Sequence, residues 1–379
     1  MTIAYVSGTR ADFGLMTPVL QAIAASPKLR LNLYATGMHL MSEFGSTMNE
    51  VRSRFPGVQA LDALIGADGR NGIAGFASDL SRRLIDAFSL DRPDAVLILG
   101  DRVEALATAM TCTYLGIPIV HLHGGERTGT VDDAARHAIS RLAHVHLTAT
   151  EDAAERLRKA GEEPWRIRVV GAPGLDAILN EPLPTREALL ASLAMDSAEP
   201  FLLVTQHPVS ERWAEAGQHM RETLEAVKAT GMPTVIIYPN ADAGGREMIR
   251  EIDLECSNPR FRIRPSMTYS EFLALEREAA VWIGNSSAGM IESSSFKTPV
   301  VNIGERQAAR LRAPNVIDVG YDREAIRQAI AFALEDTSFR TSLQTITNPW
   351  GDGKTGPRVA ALLETIVWSP AFLAKRMMY

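Results

Sequence analysis

The chain has 379 residues, room for about two domains at roughly 150 residues each, and its 46 % apolar and 22 % charged residues exclude global disorder. With 39 Lys+Arg against 45 Asp+Glu the net charge is -6, which argues against a surface built to hold nucleic acid. Cys112 and Cys256 are the only cysteines, so a disulfide scaffold and a Cys-rich zinc site are excluded.

The N-terminal Met-Thr-Ile-Ala-Tyr-Val-Ser-Gly8 lacks the basic and apolar regions of an export signal. Apolar runs such as Ala95–Leu99 fall far short of the roughly 18 to 20 residues of a membrane helix, so we expect a cytoplasmic chain with no membrane partner. Aliphatic runs at Ile3–Val6, Leu31–Ala35, Ala95–Leu99, Ile117–Leu122 and Val145–Thr148 read as strands. Leu15, Val19, Leu20 and Ile23, then Leu80, Leu84 and Ile85, then Leu106, Met110 and Tyr114, recur between them at helical spacing. That alternation predicts an α/β fold with a parallel sheet and crossover helices. A second series, Phe201–Thr205, Thr234–Tyr238, Val281–Gly284, Val300–Ile303 and Val316–Val319, predicts a second domain of the same kind. Turn-forming residues between Gly171 and Pro200 mark the hinge, giving domains at 1–175 and 176–356. Val359, Leu362, Leu363 and Ile366 then predict a terminal helix in 357–379 that packs back towards the first domain. Two doubly wound domains facing one another place strand C-termini around a shared cleft, and the polar motifs fall at those strand ends.

Ser7-Gly-Thr-Arg-Ala-Asp-Phe-Gly14 leaves the first strand, and Arg10 is placed to meet a phosphate there, although G-x-G-x-x-G is absent and a plain turn with a surface Arg is the alternative. Asp101 follows an apolar strand and would otherwise serve as a helix cap. In Ile119-Val-His-Leu-His-Gly-Gly-Glu126, strand alternation puts His121 and His123 on one face and Glu126 in a flexible loop. A metal site is the weaker reading of this motif, since no further ligand completes a zinc set. Asp132 and Asp133 open the next helix, where acidic residues are ordinarily caps. Together Asp101, Glu126 and one of Asp132 or Asp133 form a crowd of carboxylates whose pKa values rise towards neutrality, as acid/base chemistry requires.

In the second half, Thr205-Gln-His207-Pro208 and Tyr238-Pro-Asn240-Ala-Asp242 end strands. Gly284-Asn285-Ser286-Ser287-Ala-Gly289 is the strongest signal: small residues expose backbone N–H groups as an anion cradle, and Glu292 lies one to two turns on, able to accept from ribose hydroxyls. Arg306, Arg310 and Arg312 supply nearby cations. There is no Walker A pattern, which argues against an ATP-hydrolysing motor. Trp213, Trp282 and Trp368 read as packing residues, Arg246–Arg264 as a solvated face, and His144 and His146 as structural histidines.

The ordered series Gly8-Thr-Arg-Ala-Asp12, Ala35-Thr-Gly-Met-His39, Gly100-Asp101-Arg102, His123-Gly-Gly-Glu126, Asp132-Asp133, His207-Pro208, Pro239-Asn-Ala-Asp242, Gly284-Asn-Ser-Ser287, Glu292 and Asn348-Pro-Trp-Gly-Asp-Gly353 resembles the UDP-N-acetylglucosamine 2-epimerases over nearly the whole chain. It looks most like their hydrolysing bacterial branch. The resemblance implies the glycosyltransferase B arrangement, two Rossmann-like domains about a cleft, with the nucleotide held mainly by the C-terminal one. It implies elimination of UDP to a 2-acetamidoglucal and addition of water, giving N-acetylmannosamine for sialic-acid-type synthesis. By position it makes Asp101, Glu126 and Asp132 the acid/base carboxylates, with Asp133 a rival, and puts His207 near the diphosphate. It gives Ser286, Ser287 and Gly289 to the phosphates, Glu292 to the ribose and Arg10 to the nucleotide. His39, Asn240, Asn285 and Arg306 are the further binding candidates. No cofactor or metal is implied; the partners are a UDP-sugar, or a GDP-sugar, with water as co-substrate in a homodimer or homotetramer. Close relatives on UDP- or GDP-linked 2,4-diacetamido-2,4,6-trideoxyhexoses (legionaminic-acid-type synthesis), the non-hydrolysing epimerases, a glycosyltransferase and a nucleotide-sugar-binding regulator without turnover are the competing readings.

Overall fold

The computed structural model describes every residue except Ser46, Ala67, Asp68, Thr130, Met377 and Tyr379. The described residues form thirteen strands: β1 (Thr2–Ser7), β2 (Arg30–Ala35), β3 (Gln59–Ala60), β4 (Ala95–Leu99), β5 (Ile119–Leu122), β6 (Val145–Thr148), β7 (Ile167–Val169), β8 (Leu202–Thr205), β9 (Thr234–Ile237), β10 (Phe261–Arg264), β11 (Val281–Gly284), β12 (Val300–Ile303) and β13 (Val316–Val319). They form a seven-stranded sheet ordered β3-β2-β1-β4-β5-β6-β7 and a six-stranded sheet ordered β10-β9-β8-β11-β12-β13. All pairings are parallel, as in Ile3 with Leu31 and Ala95, or Gly284 with Thr205 and Asn302.

Each central strand is apolar on both sides because helices cover both faces of its sheet. Ile3, Tyr5 and Leu97 pack with Met16, Val19 and Leu20, whereas Ala4, Val96 and Ile98 pack with Leu80 and Leu84. In the second sheet Val204, Ile236 and Ile283 meet Met220 and Leu224, while Leu203, Val235 and Trp282 meet Leu189 and Leu190. β3, β7 and β10 had no counterpart in the aliphatic pattern, and all three lie at sheet edges. β10 runs through the segment read as a solvated face: Phe261 is buried while Arg262 turns its guanidinium to the Leu193 carbonyl at 3.0 Å.

The helix Thr355–Thr365 returns to the first half. Val359, Ala360 and Leu363 join the Met16 and Val19 cluster, and the Thr355 and Gly356 N–H groups donate to Asp176 at 2.9 and 2.7 Å. Among the described residues no helix is long and apolar enough to cross a membrane.

In each sheet the strand order reverses once, between β1 and β4 and between β8 and β11. Loops leaving those strands splay apart and leave a crevice at the carboxyl ends. The loops that carry Arg10, Asp101, His207 and Ser286 are those loops.

Candidate active site

A cleft of about 940 Å³ is lined from both halves of the chain. The first half contributes Arg10, Asp12, Asp101, Arg102, Glu104, His123 and Asp132; the second contributes His207, Asn240, Asp242, Ser286, Ser287, Glu292, Arg306 and Arg310.

Asp101, just past β4, is ion-paired with Arg136, which also donates to the His123 carbonyl at 3.0 Å. Arg136 belongs to the helix Val131–Leu142, whose first turn carries Asp132 and Asp133. The two differ sharply. Asp132 lines the cleft, and burial, together with the nearby Asp101 and Asp242 charges, raises its carboxyl to about 6 against the pull of Arg306 and Arg102. Asp133 turns into the preceding loop and accepts the Thr128 and Gly129 N–H groups at 2.7 and 2.8 Å. Burial raises its pKa, but these donors outweigh it and hold the carboxyl below its ordinary value.

The motif after β5 departs from strand alternation because His123 adopts φ +60°. His121 therefore turns inward, its Nε2 on the Gly100 carbonyl at 2.7 Å and its Nδ1 on Ser140 at 3.2 Å, while His123 lines the cleft. The expectation that both imidazoles share one face is thus corrected. Gly125 lets the loop fold tightly: at φ +78° any Cβ would lie 2.3 Å from the Ala153 carbonyl oxygen. Glu126 is carried behind His123 and does not line the cleft. It pairs with His123 Nδ1, with Arg310 at 3.3 Å and with Arg136 at 3.7 Å. Burial opposes its ionisation, yet His123 and Arg310 pull its carboxyl down to about 2. Trp350 stacks at 15° on the His123 ring, so the imidazole is held from two sides.

Across the cleft, His207 follows β8. Asn285 clamps its backbone, Oδ1 accepting from the His207 N–H at 2.7 Å and Nδ2 donating to its carbonyl at 2.9 Å. The ring Nδ1 accepts the Asn240 N–H at 3.1 Å, so the neutral ring carries its proton on Nε2. Burial and Arg306 lower its pKa to about 3, which keeps it a neutral donor at any working pH. Gly284, at φ +134°, lies where a Cβ would fall 2.0 Å from the Thr205 carbonyl oxygen, so β8 and β11 close tightly beneath the Ser286 turn. Arg102 spans the cleft to Asp242 at 3.3 Å. Arg10 pairs with Glu50 at 2.6 Å and donates to Ser266 of the other half.

Besides Glu126 and Asp133, three further sequence-derived candidates stand behind the wall. His39 is fully buried, with Nε2 on Ser7 at 2.9 Å and Nδ1 on Thr47 at 2.6 Å. Asn285 acts on His207 as described, and Gly289 faces Val300 and Trp282 of the sheet. Sequence reading passed over Asp12, Arg102, Glu104 and Arg136. Asp12 accepts the Gly8 N–H at 2.9 Å, and burial raises its carboxyl to about 7. It stood in the Gly8-Thr-Arg-Ala-Asp12 motif without a role of its own; the Thr9 side chain accepts from the Asp12 N–H, a local cap at capping-box spacing. Arg102 lay in the Gly100-Asp101-Arg102 motif, and Glu104 and Arg136 close after noted acidic residues, without a pattern of their own.

No group of three or more His, Cys, Asp or Glu side chains among the described residues converges as a metal-binding set. The H-x-H pair instead spends its ring nitrogens on Gly100, Ser140 and Glu126.

Two parallel α/β sheets with their switch points turned to one cleft define a doubly wound architecture of two facing halves. The family described as UDP-N-acetylglucosamine 2-epimerase matches residues 21–364. The chain is 39 % identical to a hydrolysing UDP-N,N'-diacetylbacillosamine 2-epimerase of Legionella pneumophila, over 96 % of each chain. It is 33 % identical to a UDP-N-acetylglucosamine 2-epimerase of Neisseria meningitidis, over 94 % of this chain and 95 % of that one. Its fold is that of the N. meningitidis UDP-GlcNAc 2-epimerase crystallised with UDP-GlcNAc, with a TM-score of 0.80 at 21 % identity over 96 % and 99 % of the two chains. The chain belongs to the UDP-N-acetylglucosamine 2-epimerase family, with its glycosyltransferase B-like α/β fold.

Proposed function

We propose that this protein is a hydrolysing nucleotide-sugar 2-epimerase. One observation carries the reading: Asp132, near neutral pKa, shares a cleft with Asp101 and His123 on one side and with His207, Ser286, Ser287 and Arg306 on the other. The first group suits proton transfer at a sugar, the second suits an anionic diphosphate. A base takes the C2 proton of a 2-acetamido sugar while the C1–O bond to the diphosphate breaks, leaving UDP and a glycal. Water then adds at C1 and a proton at the opposite face of C2. The sum is nucleotide sugar plus water giving free 2-epimeric sugar plus UDP, with no redox change.

Asp132 takes the proton-transfer role, since a carboxyl at about 6 is part ionised at neutral pH. His123, oriented by Glu126, is the second proton-transfer group, and Asp101 with Arg136 frames the sugar. His207 Nε2–H and Arg306 stabilise the charge on the leaving diphosphate, and Glu292 accepts from the ribose. Asn285 acts through His207.

The sugar we favour is a UDP-linked 2,4-diacetamido-2,4,6-trideoxyhexose. The N-terminal wall of the cleft is apolar, with Met38, Phe44, Ile73, Ala74 and Ala77, which suits a 6-methyl and a second acetamido group. The Legionella relative's substrate supports it; UDP-N-acetylglucosamine, as for the Neisseria relative, is the second reading. Each sugar incubated with the protein, with UDP and free sugar quantified, decides between them. UDP with the free 2-epimer of the diacetamido sugar is the expected result. An intact UDP-linked 2-epimer would place the chain with non-hydrolysing enzymes, and no product from either sugar would contradict the proposal.

A further inference from the structure

Glu292 faces the cleft, but a second carboxyl, Glu276, lies directly behind it. Glu276 is fully buried on the helix Tyr269–Glu278, and its side chain is within hydrogen-bonding reach of Glu292. Among the described residues neither of its carboxylate oxygens meets a hydrogen-bond donor. Glu292 is also fully buried; its Oε1 accepts the Tyr269 hydroxyl at 3.2 Å.

The described groups packed around the pair offer no positive charge. Tyr269 is a neutral donor. Asp176, on the helix Gly174–Asn180, is turned to the Thr355 and Gly356 N–H groups. Lys297, past Glu292, places its ammonium on the Ile346 carbonyl, and Glu181 adds only negative charge near Tyr269. Among the described residues neither carboxyl forms an ion pair. Two carboxylates cannot both ionise in contact without water or a cation, so a proton must lie between them. Glu292 accepts a further donor, the Tyr269 hydroxyl, whereas both Glu276 oxygens lack one, so the proton resides on Glu276; burial and the neighbouring carboxylate push its pKa in the same direction, well above the ordinary range.

We propose that Glu276 is a neutral carboxylic acid that donates its proton to the Glu292 carboxylate, positioning Glu292 as a full acceptor for the ribose hydroxyls of the bound nucleotide. Glu276 is a positioning residue, since it acts through Glu292. The inference rests on the nucleotide reading above only for its ligand; the shared proton is a property of the free protein.

Two measurements test it. Infrared spectra of the free protein at pH 8 should show the carbonyl stretch of a protonated carboxylic acid that disappears in Glu276→Gln; a wild-type spectrum without that band overturns the proposal. Calorimetric binding of UDP across pH 6 to 9 then compares Glu276→Gln with Glu276→Leu. The amide of Gln mimics the acid as a donor, so E276Q should bind like the wild type across the range. E276L loses the donor and should bind about tenfold more weakly at pH 7.5, the weight of one charge-assisted hydrogen bond. Equal loss in both variants, or loss in neither, overturns the inference. If E276L does not fold, the infrared band and the E276Q binding profile still decide it. Failure of the wild type itself to bind UDP would count against the nucleotide reading instead, leaving the infrared result to judge the pair.

Discussion

Asp132 and Asp133 are neighbours in sequence with opposite surroundings, and the difference predicts opposite consequences of losing each charge. Asp132→Asn should lower turnover by about 10²-fold or more while UDP still binds, because the amide cannot exchange the C2 proton. Its carboxyl is raised from 3.8 to about 6, so it is protonated below that pH. Wild-type turnover should therefore fall as pH drops through about 6, and a pH–rate profile checks this; an unchanged acid limb in the Asn variant would remove Asp132 from the mechanism. Glu126 makes a different case. Its carboxylate is held ionised, behind His123 and between two arginines, and in the proposed mechanism it orients the imidazole without trading protons itself. Glu126→Gln should cost about 10²-fold in turnover and leave UDP affinity intact, read by steady-state rates beside calorimetry. Which carboxylates reach the cleft was only partly legible in the sequence. Residues at strand ends were placed there by topology, hence Asp101, His207 and Ser286. The turn of Glu126 behind His123 depends on a left-handed histidine and a crowded glycine, and neither leaves a period or a spacing to read.

Elements were legible where burial is two-sided. Central strands are continuous aliphatic runs because helices cover both faces, whereas β3, β7 and β10 are short edges whose side chains meet solvent on one side, so their composition resembles loop. The terminal helix shows the opposite behaviour. Its Val359 and Leu363 repeat was plain, yet its partner surface, on the helix Arg10–Ala25, lies more than three hundred residues away in sequence. Leu363 is fully buried there. Leu363→Ala should destabilise the N-terminal half by about 2–5 kcal/mol, seen as a lower denaturant midpoint; a midpoint within error of wild type would mean this helix contributes little to the first core.

At the scale of the whole molecule, the two halves meet through apolar contacts, such as Leu15 with Tyr269 and Leu273, and through charged ones. Arg102 with Asp242 and Arg310 with Glu126 each join a residue of one half to a residue of the other, and all four belong to or border the cleft. These pairs hold the proposed proton-transfer side against the proposed diphosphate side across the cleft. The proposed elimination has a consequence that no binding module shares: the hydrogen at C2 is replaced from solvent in every molecule that turns over. The most direct test is proton NMR of the reaction run in D₂O with the favoured UDP-linked diacetamido sugar and with UDP-N-acetylglucosamine. Free 2-epimeric sugar carrying deuterium at C2, with UDP released in equal amount, is the predicted result. A free sugar that keeps its original C2 hydrogen and configuration would contradict the account, because the cleft would then be cleaving the nucleotide bond without elimination.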